Sequence, residues 1–156
     1  MKKFIITALL AAAPFIGSAQ TTAFDKFKDV DGIASVVINK ELLEMAGSME
    51  VSGNEKADKA LSMVKNLDGL KMFITSEKKH MKNLRNSVTS YLKTSGLEEM
   101  MTITDNGSKI KFYVREGATK SDVKEALLFV ENENDKQVVL LSFTGNVNLN
   151  DLKKLK

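Results

Sequence analysis

Residues Met101–Arg115 read MTITDNGSKIKFYVR. Met101 and Ile103 alternate with Thr102 and Thr104. Beyond Asp105-Asn106-Gly107-Ser108, Ile110, Phe112 and Val114 alternate with Lys109, Lys111, Tyr113 and Arg115. A period of two marks a strand whose successive side chains point to opposite faces. Asn-Gly supplies the two residues that tolerate the left-handed backbone of a tight hairpin turn. The stretch predicts an antiparallel hairpin whose second strand has one apolar and one wet face.

Toward the carboxyl end, Val123–Glu131 carries two signals. Ser121-Asp122 suits a helix cap, whereas Leu127-Leu128-Phe129-Val130 before the polar turn Asn132–Lys136 suits a strand. Val138–Thr144 is its natural partner, so a second hairpin is expected. Both runs are almost continuously apolar, the pattern of strands lying centrally or covered on both faces. Asn148 is placed to cap a short terminal helix carrying Leu149, Leu152 and Leu155.

Toward the amino end, Ser76–Ser95 predicts the longest helix, with Met81, Leu84, Val88, Tyr91 and Leu92 on one stripe and Gly96 as its stop. Leu70–Thr75 and Ile33–Ile38 read as strands. Lys40–Gly47 reads as a helix with Leu42, Leu43 and Met45 inward, Ser48–Asn54 as a loop, and Ala57–Asn66 as a helix. Phe24, Phe27 and Val30 recur at helical spacing. At an offset of 37 residues, Phe24, Phe27, Val30 and Asp31-Gly32 match Leu61, Val64, Leu67 and Asp68-Gly69. Duplication and repeated use of one helix-stopping turn both account for this. The expected fold is α+β: an antiparallel sheet, made of a C-terminal meander of two hairpins plus two N-terminal strands, with helices packed on it.

Lys2 and Lys3, the apolar run Phe4–Ala13 and Gly17-Ser18-Ala19 before Gln20 have the layout of a secretory signal peptide. The run is too short to span a bilayer, which needs about 20 apolar residues. The expectation is a signal peptide over 1–19 and a single α+β domain over 20–156, periplasmic or secreted. Removing Lys2 and Lys3 leaves 21 basic against 20 acidic residues, a net charge of +1. That balance offers no electrostatic argument for nucleic acid. The chain has no cysteine, so an exported fold must hold by packing and hydrogen bonds alone.

Catalytic patterns are sparse. There is one histidine, His80, flanked by Lys78 and Lys79, and no G-x-S-x-G elbow. Zinc draws mainly on Cys and His. Asp29-x-Asp31-Gly32 is a fragment of a calcium loop, but an apolar strand follows where ligands should stand. Met45 with Met49, or Met100 with Met101, suits core filling better than Cu(I). Glu98 and Glu99 diverge as strand neighbours, whereas glycosidase carboxylates converge; Glu41 and Glu125 stay open as distant partners. No catalytic, cofactor-binding or metal-binding residue is assigned, and no cofactor is expected.

The segments FDKFKDVDGIASVVINK (Phe24–Lys40), LDGLKMFITS (Leu67–Ser76), MTITDNGSKIKFYV (Met101–Val114) and VVLLSFTGNVNLNDL (Val138–Leu152) together make a recognisable pattern. On them the chain resembles the secreted Bacteroidota proteins grouped as domain of unknown function 4252. The resemblance implies no activity, substrate or catalytic residue. Relatives commonly carry a lipoprotein cysteine after the signal; this chain has none.

The functional expectation is an exported, non-enzymatic domain that binds or supports another cell-envelope component. Its partner surface would comprise Lys78, Lys79, Lys82 and Arg85 on the long helix, with Lys109, Lys111, Tyr113 and Arg115 on the hairpin, or an uncovered strand edge. The alternative is a carrier of a small apolar ligand or lipid, with a pocket between sheet and helices. A hydrolase without a recognisable motif ranks third. Neither nucleic acid nor a membrane-spanning segment in the mature chain is expected, and the oligomeric state is left open.

Overall fold

A computed structural model describes residues 23–49 and 53–153. The expected signal segment 1–19, part of the Ser48–Asn54 loop, and Leu155 lie outside the described residues.

The elements are β1 (Ala34–Asn39), α1 (Lys40–Gly47), α2 (Glu55–Val64), β2 (Leu67–Thr75), α3 (Lys78–Leu92), β3 (Glu98–Asp105), β4 (Ser108–Glu116), β5 (Asp122–Asn132), β6 (Gln137–Asn148) and α4 (Leu149–Lys153). The strands form one six-stranded sheet in the order β1-β2-β6-β5-β4-β3, with every neighbour antiparallel. The last four strands are the expected meander of hairpins, and the β1–β2 pair joins it through β2. The fold is therefore α+β, and the two apolar runs become its central strands, β5 and β6.

Local chemistry explains the boundaries. Asn39 and Asn54 cap α1 and α2, their side-chain oxygens accepting hydrogen bonds at 3.1 Å from the backbone N–H of Leu42 and Ala57. Asn106 and Gly107 both take positive φ, 44° and 79°, and close the β3–β4 hairpin between the paired residues Asp105 and Ser108. That two-residue turn matches the right-handed twist of the strands it joins.

One sheet face carries the core. Leu84, Val88 and Tyr91 of α3 bury against Phe73, Leu127, Phe129 and Leu140. A single 3₁₀ turn, Asp25–Phe27, adds Phe27 to this layer, and Phe24 precedes it. The rings of Phe24 and Tyr91 meet edge-on at 5.3 Å, those of Phe27 and Phe73 at 5.9 Å. Each fully buried Leu or Phe here stabilises the fold by roughly 1.5–3 kcal/mol.

Five expectations need correction, the first being that Met45, Met49, Met100 and Met101 fill the core: all four are exposed. The other four concern elements and faces. The helical spacing of Phe24, Phe27 and Val30 yields only the 3₁₀ turn among the described residues, because Lys28 is extended and Asp29 left-handed (φ 57°). Asp68-Gly69 is not a helix stop: α2 ends at Val64, and Gly69 lies within β2, paired with Asn39 and Thr144 beside a bulge. Gly32, by contrast, is left-handed (φ 84°), so the two Asp-Gly pairs do different work.

The fourth correction concerns α1. Of Leu42, Leu43 and Met45, only Leu43 is buried; Leu42 and Met45 are 51% and 63% exposed. The buried stripe runs instead through Leu43 and Gly47, where α2 approaches so closely that a Cβ on Gly47 would stand 2.7 Å from the Leu61 carbonyl oxygen. The fifth concerns the wet face of β4, which is the face turned toward α3. Tyr113 there is only 8% exposed and belongs to the core.

Candidate functional site

Strand register divides the side chains into two sets. On the face turned away from α3, three rows run straight across all six strands. The first is Ala34, Ile74, Val139, Val130, Ile110 and Ile103. The second is Val36, Met72, Leu141, Leu128, Phe112 and Met101. The third is Ile38, Leu70, Phe143, Ala126, Val114 and Glu98. Glu98, at a corner, is the only charged member.

Burial differs sharply between these rows. In the third, Val114 and Ala126 are buried, with Leu149 of α4 packed on their cluster. In the first two, every side chain is half-buried or exposed, with Val36 at 41% and Met101 at 43%. Val36 and Met101 stand on the edge strands, but Leu128, Val130, Val139 and Leu141 on the central strands, flanked on both sides, are also only half-buried, so nothing described roofs them. A contiguous apolar surface of this kind is a candidate interaction site.

The opposite face is polar at its margins and its charges are paired there. Arg115 Nη2 lies 2.8 Å from Glu125 Oε2, which is fully buried. The contact lacks hydrogen-bond alignment and leaves that oxygen held by charge alone. The Tyr91 hydroxyl donates to Glu125 Oε1 at 2.5 Å, and Arg115 Nη1 donates to the Ser95 carbonyl at 3.3 Å. Burial raises the Glu125 carboxyl above its ordinary range, against the opposing pull of the Tyr91 hydrogen bond and Arg115. Burial first, then the bond to Glu125, raises the Tyr91 phenol far above its usual value. This cluster ties α3 to β4 and β5 beneath the helix.

The expected partner residues divide accordingly. Arg85 pairs with Glu131 at 2.6 Å and Lys111 with Glu99 at 3.4 Å, while Arg115 and Tyr113 are committed to the core side. Lys78, Lys79, Lys82 and Lys109 remain exposed. Lys78 and Lys109 border a cleft of about 500 Å³ shared with Arg85, Glu131 and Glu133, so its charge is mixed. His80 contacts Glu77, Nε2 to Oε2 at 3.4 Å, and borders a cavity of about 630 Å³ with Lys26, Lys79, Asn83 and Ser87. No hydroxyl bonds to His80 among the described residues, and no three His, Asp or Glu side chains converge there on a metal position.

Sequence reasoning isolated Ile110, Phe112 and Val114 as one apolar face, but not the rows they complete. The available signal was double: alternation in β4 beside unbroken apolar runs in β5 and β6, which provide apolar side chains for both faces. Residues 27–155 match the model of a family described as a domain of unknown function (DUF4252). No curated protein and no solved structure matches the chain.

Proposed function

The chain belongs to the family of the domain of unknown function DUF4252, and we propose that it is an exported, non-catalytic docking module of the cell envelope. One observation carries this reading: two complete rows of apolar side chains across six strands, without a charge and without a roof among the described residues. The polar groups capable of acid–base chemistry are occupied elsewhere. Glu125 is enclosed with Tyr91 and Arg115, and His80 faces the exposed Glu77.

Docking on the apolar face is favoured over the lysine-bearing side because three of the eight expected residues are ion-paired there and a fourth is buried. An apolar ligand held between α3 and the sheet is less favoured. That layer is filled by Phe73, Leu84, Leu127 and Leu140, all at 0% exposure.

The test is binding of an environment-sensitive apolar dye to the native protein at nanomolar concentration, where no second copy competes for the face. Leu128→Lys and Leu141→Lys are expected to reduce binding several-fold with the fold intact, and Lys79→Ala to leave it unchanged. Dye binding that ignores both leucines, or follows Lys79, overturns the reading. Fractionation of cells and mass spectrometry of the amino terminus test export, with Gln20 expected as the first residue.

A further inference from the structure

We infer that the occupant of the apolar face is a second copy of this chain, so that two sheets pack face to face as a sandwich with the α3 helices outermost. The inference rests on the docking reading above and adds the partner.

Three properties of the face select this occupant. The first is shape. A sheet surface has no walls, whereas small-ligand sites are concave and enclose most of the ligand; a broad partner fits better. The second is charge. A twofold contact sets a patch against itself, so any net charge would be repelled by its own image. Here the two uncovered rows hold no ionisable group, and Glu98 stands at a corner. A bilayer surface is the poorer match, because the exposed Lys78, Lys79, Lys82 and Lys109 belong to α3 and the face beneath it.

The third property is area. Six strands about 4.8 Å apart and three rows about 6.8 Å apart give a field of roughly 29 by 20 Å. The two uncovered rows make up roughly 390 Å² of it, and the half-buried Ile38, Leu70 and Phe143 of the third row bring this to about 500 Å², so two copies would bury about 1,000 Å², the least that a specific interface buries. Sheets that meet in this way stand about 10 Å apart with strands within about 30° of alignment. Leu128 and Leu141, paired with each other on the two central strands, would lie near the dyad.

Sedimentation equilibrium of the purified protein over 1–100 µM tests the inference. A dimer is expected, and Leu128→Lys and Leu141→Lys are each expected to weaken it by about 100-fold or more, since each sets like charges together in a desolvated contact. Circular dichroism and thermal melting establish that both variants fold. The chain contains no cysteine, so a single one reports position without background. Leu141→Cys should cross-link between copies with a short bis-maleimide, and Val37→Cys, on the other face of β1, should not. A monomer throughout this range that still binds apolar dye through Leu128 and Leu141 overturns the second copy but leaves the docking surface standing. A monomer that binds no dye there overturns both. A dimer that survives both lysines and cross-links through Val37 overturns the sandwich.

Discussion

Leu127 and Leu128 are adjacent in β5, chemically identical, and held by the same backbone ladder. Leu127 is fully buried against α3 and its layer, while Leu128 lies half-buried on the far face between Phe112 and Leu141. Leu140 and Leu141 repeat the contrast on β6. Apolar character on a central strand therefore does not say whether a residue holds the fold or meets a partner. The face under α3 holds the larger core cluster, whereas the far face is buried only around Val114 and Ala126, where Leu149 packs, and its other two rows stay accessible.

Truncations on the covered face should show the largest effects. Phe73→Ala removes a fully buried ring that meets Phe27 and is expected to cost about 3–5 kcal/mol in urea denaturation. Leu127→Ala should cost about 2–5 kcal/mol. Leu128→Ala, next in the chain, should cost the monomer only about 1 kcal/mol, because water already reaches the site. Equal losses at 127 and 128 would break the comparison, showing that something covers the outer face.

Titration sharpens the same contrast at smaller cost. Burial raises the Tyr91 and Tyr113 phenols in the folded protein. The unfolded chain releases those protons near pH 10, the ordinary value. The folded state binds more protons above that point, so stability should be level below about pH 10 and fall as pH rises beyond it. Each tyrosine contributes up to about 1.4 kcal/mol per pH unit to the slope. Thermal melts from pH 9 to 11 should show the decline, and Tyr91→Phe should flatten it. A slope unmoved by Tyr91→Phe would remove that phenol from the covered layer. The smallest effect belongs to Arg85→Ala, whose exposed pair with Glu131 should shift denaturation by no more than about 1 kcal/mol.

The legible parts were local. Lys40–Gly47 reads as a helix with its observed bounds, and the β3–β4 hairpin follows from Asn106-Gly107, because helix ends and tight turns depend on a few neighbouring residues. The Asp68-Gly69 stop failed where a long-range constraint won: pairing of β2 with β1 and β6 draws those residues into the sheet. Leu42 and Met45 were misplaced because the close approach at Gly47 lets α1 bury a narrow seam rather than a broad stripe. Tyr113 was assigned to the wet face on the company of Lys109, Lys111 and Arg115, although its ring packs inward and Arg115 itself turns to the buried Glu125.

The sequence by itself determined the α+β class and the antiparallel hairpins, and narrowed the two apolar runs to central or doubly covered strands, because periodicity and turn residues act over a handful of positions. Only the tertiary structure decided which sheet face received α3 and which was left open. Alternation announces that a strand has two sides, but both sides of β5 and β6 are apolar. The choice between them is made by where a distant helix finds its complementary surface.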